Sequence, residues 1–331
     1  MAETEPIRKR LRRYICRNII EGHWPPGHML PSREQMANTL HVSLRSLQMV
    51  MDELMADGTL VTIASKGTFV TAHPHCLHRL AMVLPPDNHP GLCTSLRTVG
   101  KDPKGPYSFA YRALNDLDQV IEDLDYYRYR GIILLDEPLA YSQDMQQRLR
   151  QFPLVVIGYM SDAFARVHLD LYASISWGLR QLAAEGFERI AIISQSRKTN
   201  QLQTRIQRWL SMLKLPYDPR WLLEININSP HTAGNLVPLL WSLPQAERPQ
   251  AILISDDHLV PSVTKAFRRC TGQDVPHVLA HANHPRMSRS AVPAQRYGFR
   301  AEDILANAIE LLEDWDNNPA TLRTMRPQMF P

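Results

Sequence analysis

The stretch that decides the fold of the first part of the chain is residues 25–70, PPGHMLPSREQMANTLHVSLRSLQMVMDELMADGTLVTIASKGTFV. Ser32 with Gln35 three residues later is a capping-box pattern, which predicts that a helix begins at Ser32. A second helix follows a short turn and can be capped by Ser43. Its buried face is predicted from four apolar residues at helical spacing, Leu47, Val50, Met51 and Leu54.

Two runs rich in β-branched and aromatic residues follow the second helix, at 60–63 and 68–70, and the residues between them predict a hairpin. Two short helices with a tight connection and a two-stranded ribbon make up a winged helix-turn-helix, which places its second helix in the DNA major groove. Arg45 and Gln48 lie near the start of that helix and away from its apolar face. Both residue types suit hydrogen bonding to base edges.

The segment resembles the DNA-binding domain of the GntR family of bacterial transcription regulators. The motifs that carry the resemblance are Pro25-Pro26-Gly27, then Leu30-Pro31-Ser32-Arg33-Glu34 with Ala37, then HVSLRSLQ at 41–48 and SKGTFV at 65–70. Several family positions differ here. The two family arginines that face DNA fall on Leu44 and Gln48, the turn glycine is His41, and the first wing glycine is Ser65. The operator sequence of relatives therefore does not carry over.

A basic cluster precedes this segment, on a helix predicted at residues 6–22 with apolar residues along one face. A local basic cluster is typical of a nucleic-acid footprint, although a solvated basic face is the alternative. Helix N-termini also attract phosphate through their backbone N–H groups, so Ser32 is a candidate contact as well as a cap. The predicted DNA-contacting residues are Arg8, Arg12, Ser32, Arg33, Ser43, Leu44, Arg45, Ser46, Gln48, Lys66 and Gly67.

Composition indicates a globular protein of two or three domains. The chain has 331 residues, 44% hydrophobic and 21% charged, with a net charge of +4. No apolar run is long enough for a membrane span, and the N-terminus lacks the apolar region of a secretory signal. The cysteines are four and far apart in sequence, which favours reduced thiols in a cytoplasmic protein over a disulfide framework or zinc site. Residues 73–78 contain three histidines and are predicted to be a solvated linker without metal.

From Arg79 onward, short apolar strands alternate with helical patterns, which predicts parallel sheets covered on both faces. This part resembles the effector domain of LacI-type regulators, which is similar to periplasmic sugar-binding proteins. The carrying stretches are VHLD at 167–170 and LAAEGFERIAII at 182–193. The predicted fold class is α/β, with an N-terminal winged helix-turn-helix followed by a two-lobed periplasmic-binding-protein-like domain containing two parallel sheets.

The resemblance implies the domain boundaries. They are a DNA-binding domain at 1–72, a linker at 73–78, and an effector and dimerisation domain at 79–331 with chain crossings near 158–164, 281–286 and 317–321. Lobe 1 would then comprise about 79–161 and 284–317, and lobe 2 about 162–283 and 318–331. The stretch 86–106 is rich in Pro and Gly and leaves little room for the family's first long helix.

The resemblance also implies where an effector binds. Arg205 and Trp209 match the family's helix start from which an arginine reaches the ligand, and the alternative is a surface arginine beside a core tryptophan. Asp256 follows an apolar strand where the family has Asn-Asp, so it is the predicted acceptor for ligand hydroxyls; the alternative is that Asp256 and Asp257 cap the next helix. The family has a further carboxylate at a position that falls within residues 280–282. These residues are Ala-His-Ala here, and the missing carboxylate argues against a standard sugar effector.

No catalytic motif was found. There is no phosphate-cradling glycine loop and no G-x-S-x-G elbow, and neither Lys198 nor Lys265 lies in a Schiff-base context. The sequence therefore predicts a non-enzymatic, cofactor-free repressor that binds a double-stranded DNA operator as a homodimer and responds to a small molecule such as a sugar. The alternatives are a small-molecule binding module whose degenerate N-terminal domain serves dimerisation or partner contact, and an enzyme on the α/β scaffold.

Overall fold

The computed structural model of the chain describes residues 6–85, 90–102, 105–135, 141–158, 164–196, 201–226, 229–270, 275–317 and 320–331. The N-terminal domain contains three helices and a hairpin, as the sequence predicts. They are α1 (Ile7–Ile20), α2 (Arg33–Leu40), α3 (Leu44–Ala56) and the antiparallel strands β1 (Leu60–Ile63) and β2 (Gly67–Val70). Their apolar faces meet in one core that includes Leu11, Leu47 and Leu54.

The predicted capping box at the start of α2 is confirmed. The Ser32 hydroxyl accepts the Gln35 N–H at 3.2 Å, and the Ser32 N–H donates to Gln35 Oε1 at 2.9 Å. At the other end of α2, His41 stands where the family has glycine and adopts a left-handed φ of 52°. Gly58 ends α3 with a φ of 79°, a conformation that glycine adopts without steric cost.

The predicted linker is a short helix, α4 (His75–His78), that packs against α1. Cys76 of α4 is buried in the core of the N-terminal domain together with Cys16 of α1. The hydrogen bond with Cys76 is the largest cause that raises the pKa of the Cys16 thiol, and burial raises it further. The prediction of a solvated linker is therefore wrong, because one face of this segment is used to complete an apolar core.

The remainder of the chain forms two six-stranded sheets. The strands of the first are β3 (Arg79–Leu84), β4 (Ser108–Ala113), β5 (Gly131–Leu135), β6 (Leu154–Gly158), β7 (Ala165–Leu169) and β13 (Leu322–Met325), in the order β13-β7-β6-β5-β3-β4. The strands of the second are β8 (Ile190–Ser196), β9 (Leu222–Asn226), β10 (Ala251–Ile254), β11 (His277–His284), β12 (Gln295–Arg300) and β14 (Gln328–Phe330), in the order β14-β12-β11-β10-β8-β9. Every strand pair is parallel except β12 with β14.

Helices cover both faces of each sheet. The first sheet carries α5 (Pro90–Val99) and α12 (Ala301–Glu313) on one face and α6 (Leu117–Asp125) and α7 (Gln143–Leu149) on the other. The second sheet carries α8 (Leu171–Ala184) and α9 (Gln201–Met212) on one face and α10 (Val237–Trp241) and α11 (Val260–Cys270) on the other. Before α10 the chain forms a 3₁₀ segment, Pro230–Leu236, that continues directly into this helix. The described residues also include the 3₁₀ turns Leu114–Asp116, Pro219–Trp221 and Gln245–Glu247.

The two lobes exist as predicted, but the chain crosses between them at other places. Strand β7 pairs with β6 and so belongs to lobe 1, whereas β12 pairs with β11 and belongs to lobe 2. Strand β13 pairs with β7 in lobe 1, and β14 returns to lobe 2. The crossings therefore follow β7, β12 and β13, because these strands complete sheets that the sequence prediction had ended too early.

One other expectation for this part changed. Although residues 86–106 were predicted to lack room for a long helix, α5 contains ten residues and places Cys93 and Leu96 in the lobe 1 core. Lys198, considered and set aside as a catalytic lysine, lies outside the described residues, and Lys265 is exposed on α11. No helix in the described part of the chain is both long and apolar enough to cross a membrane.

Candidate functional site

The start of α3 presents an uncovered surface at the tip of the N-terminal domain. Leu44 is 52% exposed and Met49 46%, and Arg45 is also exposed. Leu47 and Val50 on the opposite face of the helix are fully buried, so the domain core fixes which side of α3 faces outward. The first eight residues of α3 contain no acidic side chain, which leaves this end of the helix compatible with a phosphate backbone.

Hydrogen bonds hold the side chains around this end of α3. The Ser43 hydroxyl accepts the Ser46 N–H at 3.1 Å, and the two hydroxyl oxygens are 2.8 Å apart. The Gln48 amide donates to the Asp52 carboxylate one turn further along. Ser43 and Ser46 therefore define the helix start, and Gln48 would have to release Asp52 in order to reach a base edge.

The hairpin and the start of α2 place further cations at the surface. Lys66 is exposed in the turn between β1 and β2, next to Gly67, whose φ of 121° only glycine adopts readily. Arg33 is exposed in the first turn of α2. The Ser32 N–H is occupied by Gln35, so the capping box and not an anion uses that donor in this structure.

Arg12 does not lie where the sequence predicts. Its side chain is 2% exposed, and its guanidinium binds the Asp57 carboxylate and donates to the backbone carbonyl of Tyr126 in lobe 1. The predicted phosphate contact by Arg12 is therefore wrong, because the residue lies inside the junction between two domains. Arg8 stays at the surface and pairs with Glu53 of α3.

Helix α1 rests on the C-terminal end of α6 through further contacts around Arg12. Lys9 Nζ is 3.5 Å from the Asp125 carboxylate and lies 5.6 Å from the centre of the Tyr126 ring. The Arg17 Nε–H donates to the Tyr127 hydroxyl at 3.2 Å. Tyr127 has a left-handed φ of 55°, a conformation that is costly for an aromatic residue and persists only where surrounding contacts hold it. The basic face of α1 is thus used largely for contact with lobe 1.

A second candidate site lies between the lobes, at the carboxyl ends of β8, β10 and β11. Open α/β sheets bind ligands at this edge. Here the Gln195 amide donates to the Asp256 carboxylate, and the His258 N–H donates to Asp256 Oδ1 at 2.9 Å. The Asn283 amide donates to Asp257 Oδ2 at 2.9 Å. His281 of β11 is 7% exposed, and neither ring nitrogen has a hydrogen-bond partner among the described residues.

Burial and mutual charge shift the pKa values of this inter-lobe cluster. Burial, reinforced by the charge of Asp256, raises the pKa of Asp257. Burial also opposes ionisation of Asp256, but the hydrogen bond and charge of His258 outweigh it and lower the pKa of Asp256. Conversely, Asp256 raises the pKa of His258 against the effect of burial. Burial lowers the pKa of His281, so this ring is neutral and carries one unused donor and one unused acceptor.

Lobe 1 closes on this cluster through α5. The Ser95 hydroxyl donates to the Asn283 carbonyl at 2.6 Å and accepts the Arg286 N–H at 3.0 Å. Gly91 lies so close to Asp257 that a Cβ atom there would be 1.7 Å from Asp257 Oδ2. The lobes are therefore in contact at a buried carboxylate, which is the arrangement of a closed cleft.

The same cluster contains three side chains of the types that bind metal ions. Ligand atoms of Asp256, Asp257 and His258 lie within 4.8 Å of one another. His258 Nδ1 is already 2.7 Å from Asp256 Oδ1, and the raised pKa of His258 favours the protonated ring, which cannot bind a metal through that nitrogen. The geometry therefore favours an internal acid–base pair over metal coordination.

The predicted effector residues do not come together. Asp256 belongs to the inter-lobe cluster, whereas Arg205 and Trp209 line a groove between α8 and α9 to which Asp256 does not contribute. The Arg205 guanidinium lies over the Tyr172 ring, 4.5 Å from its centre. The assignment of all three residues to one pocket is therefore not supported, since α9 places its arginine over α8.

The sequence prediction missed several members of the cluster. His281 was noted only as the place where a family carboxylate is absent, and Gln195, Asp257 and Asn283 were given no ligand role. Each follows or ends an apolar strand, which was the available signal. The carboxyl ends of neighbouring parallel strands meet at one edge of a sheet, so these residues were available as candidates, but placing them beside Asp256 requires the strand order that the structure supplies.

Comparison with known proteins supports the division of the chain into two parts. Residues 7–70 match the family model of bacterial regulatory proteins, gntR family. A histidine utilization repressor of Pseudomonas putida is 38% identical over 65 residues, covering 20% of this chain and 26% of that protein. The histidine utilization repressor of Pseudomonas aeruginosa is 31% identical over 107 residues, covering 30% and 42%. The chain thus spans less than half the length of these curated relatives.

The remainder is similar in fold to LacI-type regulators. A LacI family transcriptional regulator from Lactobacillus casei, solved with bound sucrose, superposes with a TM-score of 0.55 at 16% identity, covering 77% of this chain and 98% of that one. At this identity the likeness shows the fold alone. Residues 7–70 of this chain therefore match the gntR family of bacterial regulatory proteins, and they are joined to a two-lobed domain with the fold of LacI-type regulators.

Proposed function

We propose that this chain is a cytoplasmic DNA-binding transcriptional regulator, a repressor, that binds its operator as a homodimer and responds to a small molecule held between its lobes. The observation that carries the proposal is the outward-facing, acid-free start of α3 on a gntR-family domain. Arg45 would contact base edges there, while Arg33 and Lys66 would contact phosphates on either side. The names of the relatives, two repressors and a sugar-bound regulator, support the same assignment.

The inter-lobe cluster supports the ligand-sensing half of the proposal. His281 offers one donor and one acceptor that find no partner in the described part of the chain, and buried polar groups of this kind are normally satisfied by a ligand or water. Asp257 lies against lobe 1, so a ligand that binds beside it would interact differently with open and closed lobes. A ligand shifts such an equilibrium only through this difference in affinity. The contact of α1 with α6 would then carry movement of lobe 1 to the DNA-binding domain.

The DNA-binding half is tested by selection from random duplexes at moderate salt, for which we expect enrichment of a paired half-site. Arg45→Ala should weaken binding to the selected site by about 1–3 kcal/mol. The loss should be smaller for sites that lack the preferred base. Arg33→Gln should weaken binding to all sequences. It should also reduce the steepness of the plot of log affinity against log salt concentration by about 0.9. The affinities are measured by gel shift over a series of salt concentrations.

Arg268→Gln serves as the control, because it removes the same charge from α11 in lobe 2. It should leave both the affinity and the salt slope unchanged. Failure to enrich any half-site, or an equal loss with the control, would argue for the second candidate function, a small-molecule binding module with a degenerate N-terminal domain. The bond from Gln48 to Asp52 is the observation that favours this candidate. The enzyme alternative would require substrate turnover by the intact chain.

A further inference from the structure

The groove between α8 and α9 lies outside the inter-lobe cluster and has no role in the function proposed above. It encloses about 960 Å³ on the surface of lobe 2. Its walls include Arg180 from α8 and Gln201, Thr204, Arg205 and Arg208 from α9. We call it the α8–α9 groove.

Helical spacing places these side chains in one concave surface. On α9, residues 201, 204, 205 and 208 occupy successive turns of one face, and residues 176 and 180 do the same on α8. The opposite faces of both helices are fixed by burial of Leu179, Ile206 and Leu210 in the lobe 2 core. The packing of the two helices therefore fixes the direction of their groove-facing side chains, and no ligand is needed to orient them.

The charge of the groove is uncompensated. Helices α8 and α9 contain no aspartate or glutamate, and none of the ion pairs observed among the described residues includes Arg180, Arg205 or Arg208. Arg220, elsewhere on the same lobe, shows the contrasting case, since it pairs with both Asp218 and Glu247. Three guanidinium groups that converge on one concavity repel one another, and a bound anion relieves that repulsion.

Aromatic side chains form part of the wall. The Arg205 guanidinium lies over the Tyr172 ring at 4.5 Å, which limits the orientations of its N–H groups. Trp209 is half-buried, with contacts to the core and a surface in the groove. Flat aromatic and guanidinium surfaces beside hydrogen-bond donors suit a ligand that has a planar organic part as well as negative charge.

We propose that the α8–α9 groove binds a small organic dianion, with its two acidic groups held by Arg180, Arg205 and Arg208 and its planar part against Trp209. The solvated basic face, which is the ordinary explanation for exposed arginines, does not account for the concave shape, the convergence of two helices or the aromatic wall. The site is separate from the inter-lobe cluster, where the ionised carboxylate of Asp256 opposes the approach of a dianion.

The test uses the intact chain and two probes, isophthalate as a planar dicarboxylate and pyrophosphate as a compact polyanion. Binding is measured by titration calorimetry and by the shift in melting temperature, against sodium chloride at equal ionic strength. We expect saturable binding of isophthalate, and a stronger response to pyrophosphate would identify phosphate as the preferred acidic group. Arg205→Gln with Arg208→Gln should weaken the preferred probe roughly a hundredfold, about tenfold for each charge-assisted hydrogen bond lost.

The matched control is Arg268→Gln with Arg269→Gln, which removes the same charge from another helix of lobe 2. It should bind the probes as the unmodified chain does, and both double variants should melt normally without anion. Absence of saturable binding to either probe, or equal losses in both double variants, would overturn the proposal. The groove variant should still select the same DNA half-site, so this result is independent of the DNA-binding test.

Discussion

Arg12→Met is expected to lower the free energy of unfolding of the intact chain by about 3 kcal/mol, the lower end of the range for breaking a buried ion pair. Arg12 is 2% exposed, and its removal leaves the Asp57 carboxylate, 17% exposed, without its cation. The Tyr126 carbonyl in lobe 1 also loses its donor. Urea unfolding with linear extrapolation measures the change.

Arg8→Met provides the control, because Arg8 lies on the same helix as Arg12 and also pairs with an acidic residue, Glu53 of α3. Unlike Arg12, it remains at the surface. Exposed pairs contribute about 0–1 kcal/mol, so this variant should unfold nearly as the unmodified chain does. Asp57→Asn added to Arg12→Met should recover part of the loss, since no unpaired charge then remains. Equal effects of Arg12→Met and Arg8→Met would contradict the buried junction between α1 and lobe 1.

The error over Arg12 shows what local sequence patterns leave undetermined. The apolar stripe of α1 was taken as Ile7, Leu11, Ile15 and Ile19, and the structure buries Leu11, Ile15 and Ile19. It also buries Arg12 and Cys16, which lie beside that stripe at i and i+4. Of the two partners of Arg12, one is a backbone carbonyl 114 residues away, that of Tyr126. No periodicity within α1 can indicate such a contact.

Elements with local signals were predictable. The capping box at Ser32 and the hairpin at 60–70 follow from residue types within a few positions. Strands made of continuous apolar residues, such as β5 and β6, were found for the same reason. Strands β12, β13 and β14 are short or mixed in polarity, and their existence depends on pairing with distant strands. The second and third crossings between lobes were misplaced because these strands define them, and the first was misplaced because β7 pairs with β6 of lobe 1.

The candidate sites show the same difference between local signals and contacts with distant parts of the chain. Asp256 could be identified because it follows an apolar strand, but the sequence does not order β8, β10 and β11 as neighbours. Arg205 matched a family position in sequence, whereas its direction depends on how α9 packs against α8. Which residues carry charge is thus readable from the chain, and which of them share a site requires the sheet order and the helix packing.

Gly91→Ala is expected to destabilise the closed arrangement of the lobes by about 1–3 kcal/mol, the usual cost of overpacking. The added Cβ would lie 1.7 Å from Asp257 Oδ2 and 2.6 Å from its Cγ, and Asp257 is 2% exposed and held by Asn283. The clash can be relieved only if Asp257 gives up its hydrogen bond or the lobes separate. We expect a larger radius of gyration by small-angle X-ray scattering and a lower melting temperature.

The sign of the effect distinguishes this clash from a general consequence of changing a helical glycine. Alanine in place of glycine in a helix otherwise stabilises by about 0.4–1 kcal/mol. In an Asp257→Ala background the obstructing carboxylate is absent, so Gly91→Ala should raise the melting temperature there while lowering it in the unmodified chain. The same sign in both backgrounds would mean that Gly91 and Asp257 are not in contact in solution. A reversal would show that closure of the lobes depends on a position without a side chain, where any added atom meets the buried carboxylate of the opposite lobe.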